Sequence, residues 1–242
     1  MILCIDHGAT LTKIFYANGE KTASNSCDFR VKDWISGVDE VRATGIRSAV
    51  LPESVEGISI KKFDEFEVIP EAAGGGTIAV TVGTGTSIVD TEKKEHLGGT
   101  GVGGGTIMGL CSIIAGNGNF EHYETLAESG ISGKTDLLVG DVSEGMGILS
   151  REVTASNLAK LSRDSDVNNV VRGVFNLVGE VVGTLSCFAL RSTGYDRAIF
   201  LGSAMESELL ISVVDGVFNL YGCRATLVDD PMFAIAKTLL IF

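Results

Sequence analysis

The sequence of 242 residues predicts an α/β fold built from two related halves. Three observations carry that expectation. An apolar β-type run over residues 2–6 ends in Asp6-His7-Gly8-Ala9-Thr10 and returns as a second strand over 11–17. Residues 78–82 and 86–90 repeat the same order of strand, Gly-Thr turn and strand, and self-similarity of this kind marks a duplicated architecture. In the second half, strand and helix periodicities then alternate.

After the first hairpin come an amphipathic segment around Trp34 and Ile35, a short strand near 41–44 and another over 57–63. Ala72-Ala73-Gly74-Gly75-Gly76 reads as a hinge, because three consecutive glycines resist regular structure. It divides the chain into a small domain, 1–76, and a larger one, 77–242. Ile107, Leu110, Cys111 and Ile114 recur at helical spacing, and residues 169–191 form a long helix with Val170, Val174, Phe175, Val178, Val182 and Leu185 on several faces. A helix that is apolar nearly all round is buried or lies at a subunit interface. A strand over 198–202, a helix over 206–220, a strand over 225–228 and a last helix over 232–240, packing back toward the cleft, complete the second half.

Nineteen basic against 31 acidic residues give a net charge of −12, which disfavours nucleic acid or an anionic membrane in the absence of a basic patch, and the sequence has none. The five cysteines form no Cys-x-x-Cys pair and read as reduced thiols, four of them in apolar or strand-like contexts. His7, His96 and His122 lack the spacing of a zinc site. The uncharged stretch 97–120 is too rich in glycine to insert into a bilayer, and Glu180 interrupts the other apolar run. The N-terminus has no basic leader, so the expected location is the cytoplasm.

The chemistry concentrates in two loops. Thr81-Val82-Gly83-Thr84-Gly85-Thr86-Ser87 follows one strand, and Gly98-Gly99-Thr100-Gly101-Val102-Gly103-Gly104-Gly105-Thr106 precedes a helix. Glycines let backbone amides converge on a polyanion, threonine hydroxyls add donors without charge, and a helix start brings unpaired N–H groups and a positive dipole end. This pattern is that of a nucleotide-phosphate site.

Together, Ile5-Asp6-His7-Gly8-Ala9-Thr10-Leu11-Thr12-Lys13, the two loops and the late Leu201-Gly202-Ser203 resemble type II pantothenate kinase, of the sugar kinase, Hsp70 and actin superfamily, over nearly the whole chain and in order. The resemblance implies an actin-like ATPase (ribonuclease H-like) fold of duplicated domains with a central nucleotide cleft. It also implies a homodimeric, ATP- and Mg²⁺-dependent kinase that phosphorylates pantothenate, or a near relative such as pantetheine, in the first step of coenzyme A synthesis. By the same resemblance Glu65, in the Glu65-Phe66 pair, is the catalytic base. Asp6 organises Mg²⁺, and Gly8, Thr10, Lys13, Thr84, Gly104, Gly105, Thr106, Phe120 and Ser203 line the ATP site. His96, with Gly98 and Thr100, falls at the acceptor.

Elementary chemistry agrees. An alcohol must lose its proton as a phosphoryl group arrives, and any carboxylate of Asp64, Glu65 and Glu67 could accept it. Asp6, ending a strand before a glycine-threonine turn, can hold a hard cation against phosphate charge. Two departures bear on the acceptor: His96 stands where many relatives carry arginine, and the segment after Glu65 is short, with Pro70 expected to interrupt any helix there. Two other functions are compatible with such loops. One is an activator ATPase with an interfacial iron–sulfur cluster, against which the apolar settings of the cysteines argue. The other is an ATP-binding regulatory or scaffold protein without turnover.

Overall fold

The computed structural model describes residues 1–144 and 150–242. In the first half, β1 (Ile2–His7), β2 (Leu11–Tyr16), β3 (Lys21–Asn25), β4 (Glu40–Thr44), β5 (Ser54–Val55) and β6 (Ile58–Lys62) form one sheet in the order β3-β2-β1-β4-β6-β5. β1 is antiparallel to β2 and parallel to β4, and β4 is parallel to β6. Helix α1 (Glu65–Ala73) then leads to β7 (Ile78–Val82), β8 (Thr86–Asp90) and β9 (Glu95–Thr100), followed by α2 (Gly104–Ala115) and α3 (Phe120–Ser129). A small excursion holds β10 (Leu137–Leu138), α4 (Val139–Val142) and β11 (Thr154–Ser156). The chain ends with α5 (Val167–Thr193), β12 (Arg197–Leu201), α6 (Glu208–Tyr221), β13 (Arg224–Leu227) and α7 (Ala234–Thr238).

The second sheet has the order β13-β12-β7-β8-β9, with β7 antiparallel to β8 and parallel to β12. Leaving out the edge hairpin strand β5, this is the plan of the first sheet: a three-stranded meander with two parallel strands added beside its first member. The duplication read from the two Gly-Thr hairpins is therefore a duplication of topology.

Burial follows the strand alternation. Leu3 and Ile5 point to one face of β1, with Ile14, Val41 and Ala43 from neighbouring strands. Cys4 points to the other, where it meets Val68 and Ile69 of α1, Ala79, Val89 and Leu201 of the second sheet, and Ile235, Ala236 and Leu239 near the C-terminus. This middle cluster joins the two sheets, and the last helix packs there, against α1 and the first sheet. Arg42 clamps it further, donating to the Leu239 and Leu240 carbonyls at 2.9 Å each.

The largest cluster lies beneath the second sheet, around Phe175, Val178 and Val182 of α5 with Tyr123, Phe200, Leu210 and Phe218. α5 is long and apolar enough to cross a membrane, yet its most apolar stretch is 61% buried inside the fold. It is the central core helix. Asp166 caps it, accepting from the Asn168 and Asn169 amides, and Gly194 ends it in the left-handed conformation.

Two local expectations change. The amphipathic segment around Trp34 and Ile35 forms only a single 3-10 turn, over 31–33 with Trp34 as its C-cap, anchored by buried Val31 and Ile35. Pro70 does not interrupt the segment after Glu65: α1 runs through it. Val68, Ile69 and Pro70 are all buried against the middle cluster, and that packing outweighs the one helical hydrogen bond that a proline lacks.

Candidate active site

The hairpin register sets the first part of the site. Asp6 pairs directly with Lys13 across β1 and β2. Both side chains lie on one face, and the Lys13 ammonium donates to Asp6 Oδ2 at 3.0 Å, the pair being almost wholly buried. Beside Asp6 comes the end of the parallel strand β4, where Thr44 is its register partner. The next residue, Gly45, has φ +96°, and a Cβ there would fall 2.7 Å from Asp6 Oδ1 and from the His7 carbonyl oxygen. Only glycine leaves this oxygen room.

Glu65 enters from the first turn of α1. Asp64 caps the helix, accepting from the Phe66 amide at 2.8 Å. Thr44 Oγ1 donates to the Phe63 carbonyl at 3.0 Å, so the end of β4 and the start of α1 are tied together. Burial, chiefly, pushes the Glu65 carboxyl up to about 7; the Asp6 charge adds to this, Lys13 opposes it, and Asp64 contributes in the same sense as Asp6. A carboxyl held near neutrality is able to take up a proton at neutral pH.

The loops lock against each other through their backbones. The Gly104 amide donates to the Gly83 carbonyl at 2.7 Å and the Gly105 amide to the Thr84 carbonyl at 2.9 Å. A Cβ on Gly105 would lie 2.7 Å from Thr84 Cγ2. This corrects one expectation: the first amides of α2 are not unpaired donors waiting for an anion, because the Gly83–Thr84 turn already uses them. Thr106 likewise turns inward, its Oγ1 accepting from the Gly103 amide and donating to the Gly101 carbonyl. Two exposed hydroxyls join the hairpins instead: Thr10 Oγ1 and Thr84 Oγ1 meet at 2.9 Å.

The remaining expected residues divide. Ser203 opens the 3-10 turn after β12, and Ala204 beside it approaches the start of α2, where a Cβ on Gly104 would lie 3.3 Å from the Ala204 Cβ. Phe120, the first residue of α3, packs edge-on against Phe175 at 5.6 Å, at the border of the core. His96 is exposed on the edge strand β9 and stacks on Phe66, ring centres 5.1 Å apart, next to Glu65. Gly98 lies at a register shift in that strand, and Thr100 Oγ1 accepts from the Val102 amide at the loop base.

Sequence reading missed three participants. Gly45 follows a strand-ending threonine, one of four Thr-Gly steps in the chain, two of which are in the loops. Phe66 as a platform for His96 needs the fold. So does the buried relay behind the first turn: His7 Nδ1 to Thr12 Oγ1 at 2.7 Å, Thr12 Oγ1 to Ser26 Oγ at 2.9 Å, and Ser26 Oγ donating to the Gly8 carbonyl at 2.8 Å. Burial and the Arg47 charge hold the His7 imidazole below its ordinary value.

Among the described residues no group of three or more His, Cys, Asp or Glu side chains could hold a metal. That fits Mg²⁺ presented by phosphate oxygens, which needs only one or two carboxylates from the protein. Asp6, with the space beside Oδ1 that Gly45 leaves, is the residue suited to it.

The Fumble family model matches residues 65–215. The chain is 34% identical over 243 residues to a type II pantothenate kinase of Bacillus cereus strain G9842, covering 90% of this chain and 89% of the relative. The chain belongs to this family. A type II pantothenate kinase of Staphylococcus haemolyticus is 26% identical, with 95% of each chain covered. Among solved structures, the activator of 2-hydroxyisocaproyl-CoA dehydratase from Clostridium difficile with bound ADPNP aligns with a TM-score of 0.61 at 12% identity, covering 98% of this chain and 92% of that one. The hexokinase of the ROK group from Thermus thermophilus gives 0.56 at 8% identity, covering 99% and 97%. At such identities these likenesses establish the fold, the duplicated actin-like ATPase architecture, and nothing finer.

Proposed function

We propose that this protein is an ATP-dependent pantothenate kinase, transferring the γ-phosphoryl group to the primary hydroxyl of pantothenate, the first step of coenzyme A synthesis. The observation that carries the reading is Glu65: a carboxyl held near neutrality on the first turn of a helix, beside the Asp6–Lys13 pair, in a chain whose family relatives are named for this reaction.

The residues divide the work. Glu65 accepts the hydroxyl proton as the oxygen attacks. Lys13 and the Thr10 and Thr84 hydroxyls face the phosphates, and the backbone lock between the two loops holds Thr84 in place at the cost of the Gly104 and Gly105 amides. Ser203 and the Gly202 turn border the nucleoside side. Asp6 holds Mg²⁺, which supplies charge neutralisation at the β- and γ-phosphates. His96, on the Phe66 ring, borders the acceptor. The cleft separates a domain of 1–76 from one of 77–242, and the protein works as a cytoplasmic homodimer.

A coupled ADP-release assay tests this with pantothenate, pantetheine and no acceptor. Release that depends on pantothenate or pantetheine supports the reading. ATP binding without acceptor-dependent release would favour a nucleotide-responsive scaffold.

A further inference from the structure

Behind the first Gly-Thr turn lies a buried line of hydrogen bonds whose direction the turn itself decides. Ser26 Oγ is 2.8 Å from the Gly8 carbonyl oxygen. A carbonyl can only accept, so the single Ser26 hydroxyl proton goes to Gly8. Ser26 Oγ must then accept from Thr12 Oγ1, 2.9 Å away, which commits the Thr12 proton in turn. Thr12 Oγ1 is left to accept from His7 Nδ1 at 2.7 Å. The chain runs one way, from His7 through Thr12 and Ser26 to Gly8, and it fixes an imidazole proton on Nδ1.

The strands bring these residues together. Alternation along β1 sets His7 on the face of Leu3 and Ile5, opposite to Asp6, and the hairpin register pairs it with Thr12. Ser26 follows the last residue of β3, whose Asn25 pairs with Leu11. All three members are buried. The Phe29 ring lies 5.4 Å from the imidazole and stacks in turn on Trp34, which holds the histidine ring in place. A buried polar line with every member satisfied specifies one geometry.

That geometry belongs to the turn. Ser26 grips it twice, since its amide also donates to the Thr10 carbonyl at 2.8 Å. In a trans peptide the N–H points opposite to the C=O. With the Gly8 carbonyl drawn inward to buried Ser26, the Ala9 N–H points outward, where Ala9 and Thr10 are exposed. Among the described residues neither the Ala9 nor the Thr10 amide has an acceptor. A Cβ on Gly8 would lie 3.2 Å from Lys13 Nζ, so this turn lies against the Lys13 ammonium, and its Thr10 hydroxyl reaches that of Thr84 in the second hairpin. Free amides therefore stand here, in contrast to those of Gly104 and Gly105.

We propose that His7 is a positioning residue for the nucleotide. Its Nδ1–H orders the chain through Thr12 and Ser26, the chain holds the Gly8 carbonyl inward, and the Ala9 amide is thereby aimed at a phosphate oxygen of ATP. His7 itself touches no nucleotide. The inference rests on the reading of this site as an ATP site.

The first test needs no nucleotide. Long-range proton–nitrogen correlation spectra of the labelled parent, with His7 assigned by its absence from His7→Asn, should show a proton-bearing, pyrrole-type Nδ1; a pyridine-type Nδ1 would overturn the proposal. The second is kinetic. His7→Phe keeps a ring against Phe29 without the donor, and the loss of one hydrogen bond should raise the KM for MgATP roughly tenfold while the KM for pantothenate stays unchanged. His7→Asn, which puts an amide N–H in place of Nδ1–H, should restore it. Ser26→Ala should reproduce the defect, and the double variant should be no worse than the worse single one, because both break the same chain. An unchanged KM for MgATP in His7→Phe and Ser26→Ala, or additive losses in the double variant, would overturn the proposal. If His7→Phe does not fold, Ser26→Ala and the parent spectrum decide. A parent that neither binds MgATP nor releases ADP overturns the kinase reading and this inference together; a parent that binds MgATP no better than His7→Phe overturns this inference alone.

Discussion

Glu65→Gln separates catalysis from stability at one position. With its carboxyl at about 7, Glu65 is ionised in roughly one molecule in eleven at pH 6 and ten in eleven at pH 8, so kcat/KM should rise roughly tenfold across that interval. Gln keeps the size and hydrogen bonding but cannot accept the proton. Turnover should fall by ~10²–10⁴, and the acid limb of the residual rate should disappear. Stability should move the other way. An acid whose value is raised on folding contributes stability that is complete below its unfolded value of 4.5 and is lost as pH rises through about 7. The full interval corresponds to ~3 kcal/mol, and the partial exposure of the side chain reduces this to ~1–3 kcal/mol. Glu65→Gln should therefore be more stable than the parent at pH 8 by that amount and indistinguishable from it at pH 4. Steady-state ADP release and paired urea melts at the two pH values measure both. A variant that turns over at the parent rate, or that gains nothing at pH 8, would refute the assignment of Glu65 as a half-buried base.

Glu67→Gln, on the exposed side of the same helix turn, is the control and should cost little activity in the same assay. Asp6→Asn removes the charge that helps raise Glu65, so any remaining acid limb should move below 7 while phosphoryl transfer is mostly lost; it also leaves the buried Lys13 ammonium without its counter-ion, at a cost of ~3 kcal/mol in a denaturant melt. An unshifted limb would separate Asp6 from Glu65. Gly45→Ala should reduce kcat at least tenfold, because its methyl group meets Asp6 Oδ1 and the His7 carbonyl at 2.7 Å, and wild-type kinetics would show that the end of β4 is not part of the site. Saturating MgATP at a hundredfold excess over Kd should stabilise the fold by ~2.7 kcal/mol in a thermal melt, and no shift would count against nucleotide binding.

The framework of both halves was legible because hairpins with Gly-Thr turns and a long apolar helix announce themselves locally. Strands predicted at 78–82 and 86–90 are β7 and β8. What escaped the sequence depends on partners remote in the chain. Pro70 argued against α1 because its cost is local, while the packing of Val68 and Ile69 against Ala236 and Leu239 is not. Lys13 was placed at the phosphates by family resemblance, but its burial and its pairing with Asp6 follow from the register that sets the two opposite each other, which needs the fold. The glycines of the second loop were legible as special but pointed to the wrong role for their amides: the close backbone approach they permit is to the Gly83–Thr84 turn. Glu65 was chosen among three neighbouring acids by family resemblance; of the three it is the partly buried one, raised by burial and by the Asp6 charge, while Asp64 and Glu67 are exposed.

The most direct measurement of the central claim is the mass of the acceptor after incubation with MgATP and catalytic protein. The account predicts that pantothenate gains one phosphoryl group on its primary hydroxyl with stoichiometric ADP, and that this product is lost in Glu65→Gln. ADP formation unaffected by pantothenate and pantetheine, with both recovered unmodified, would contradict it.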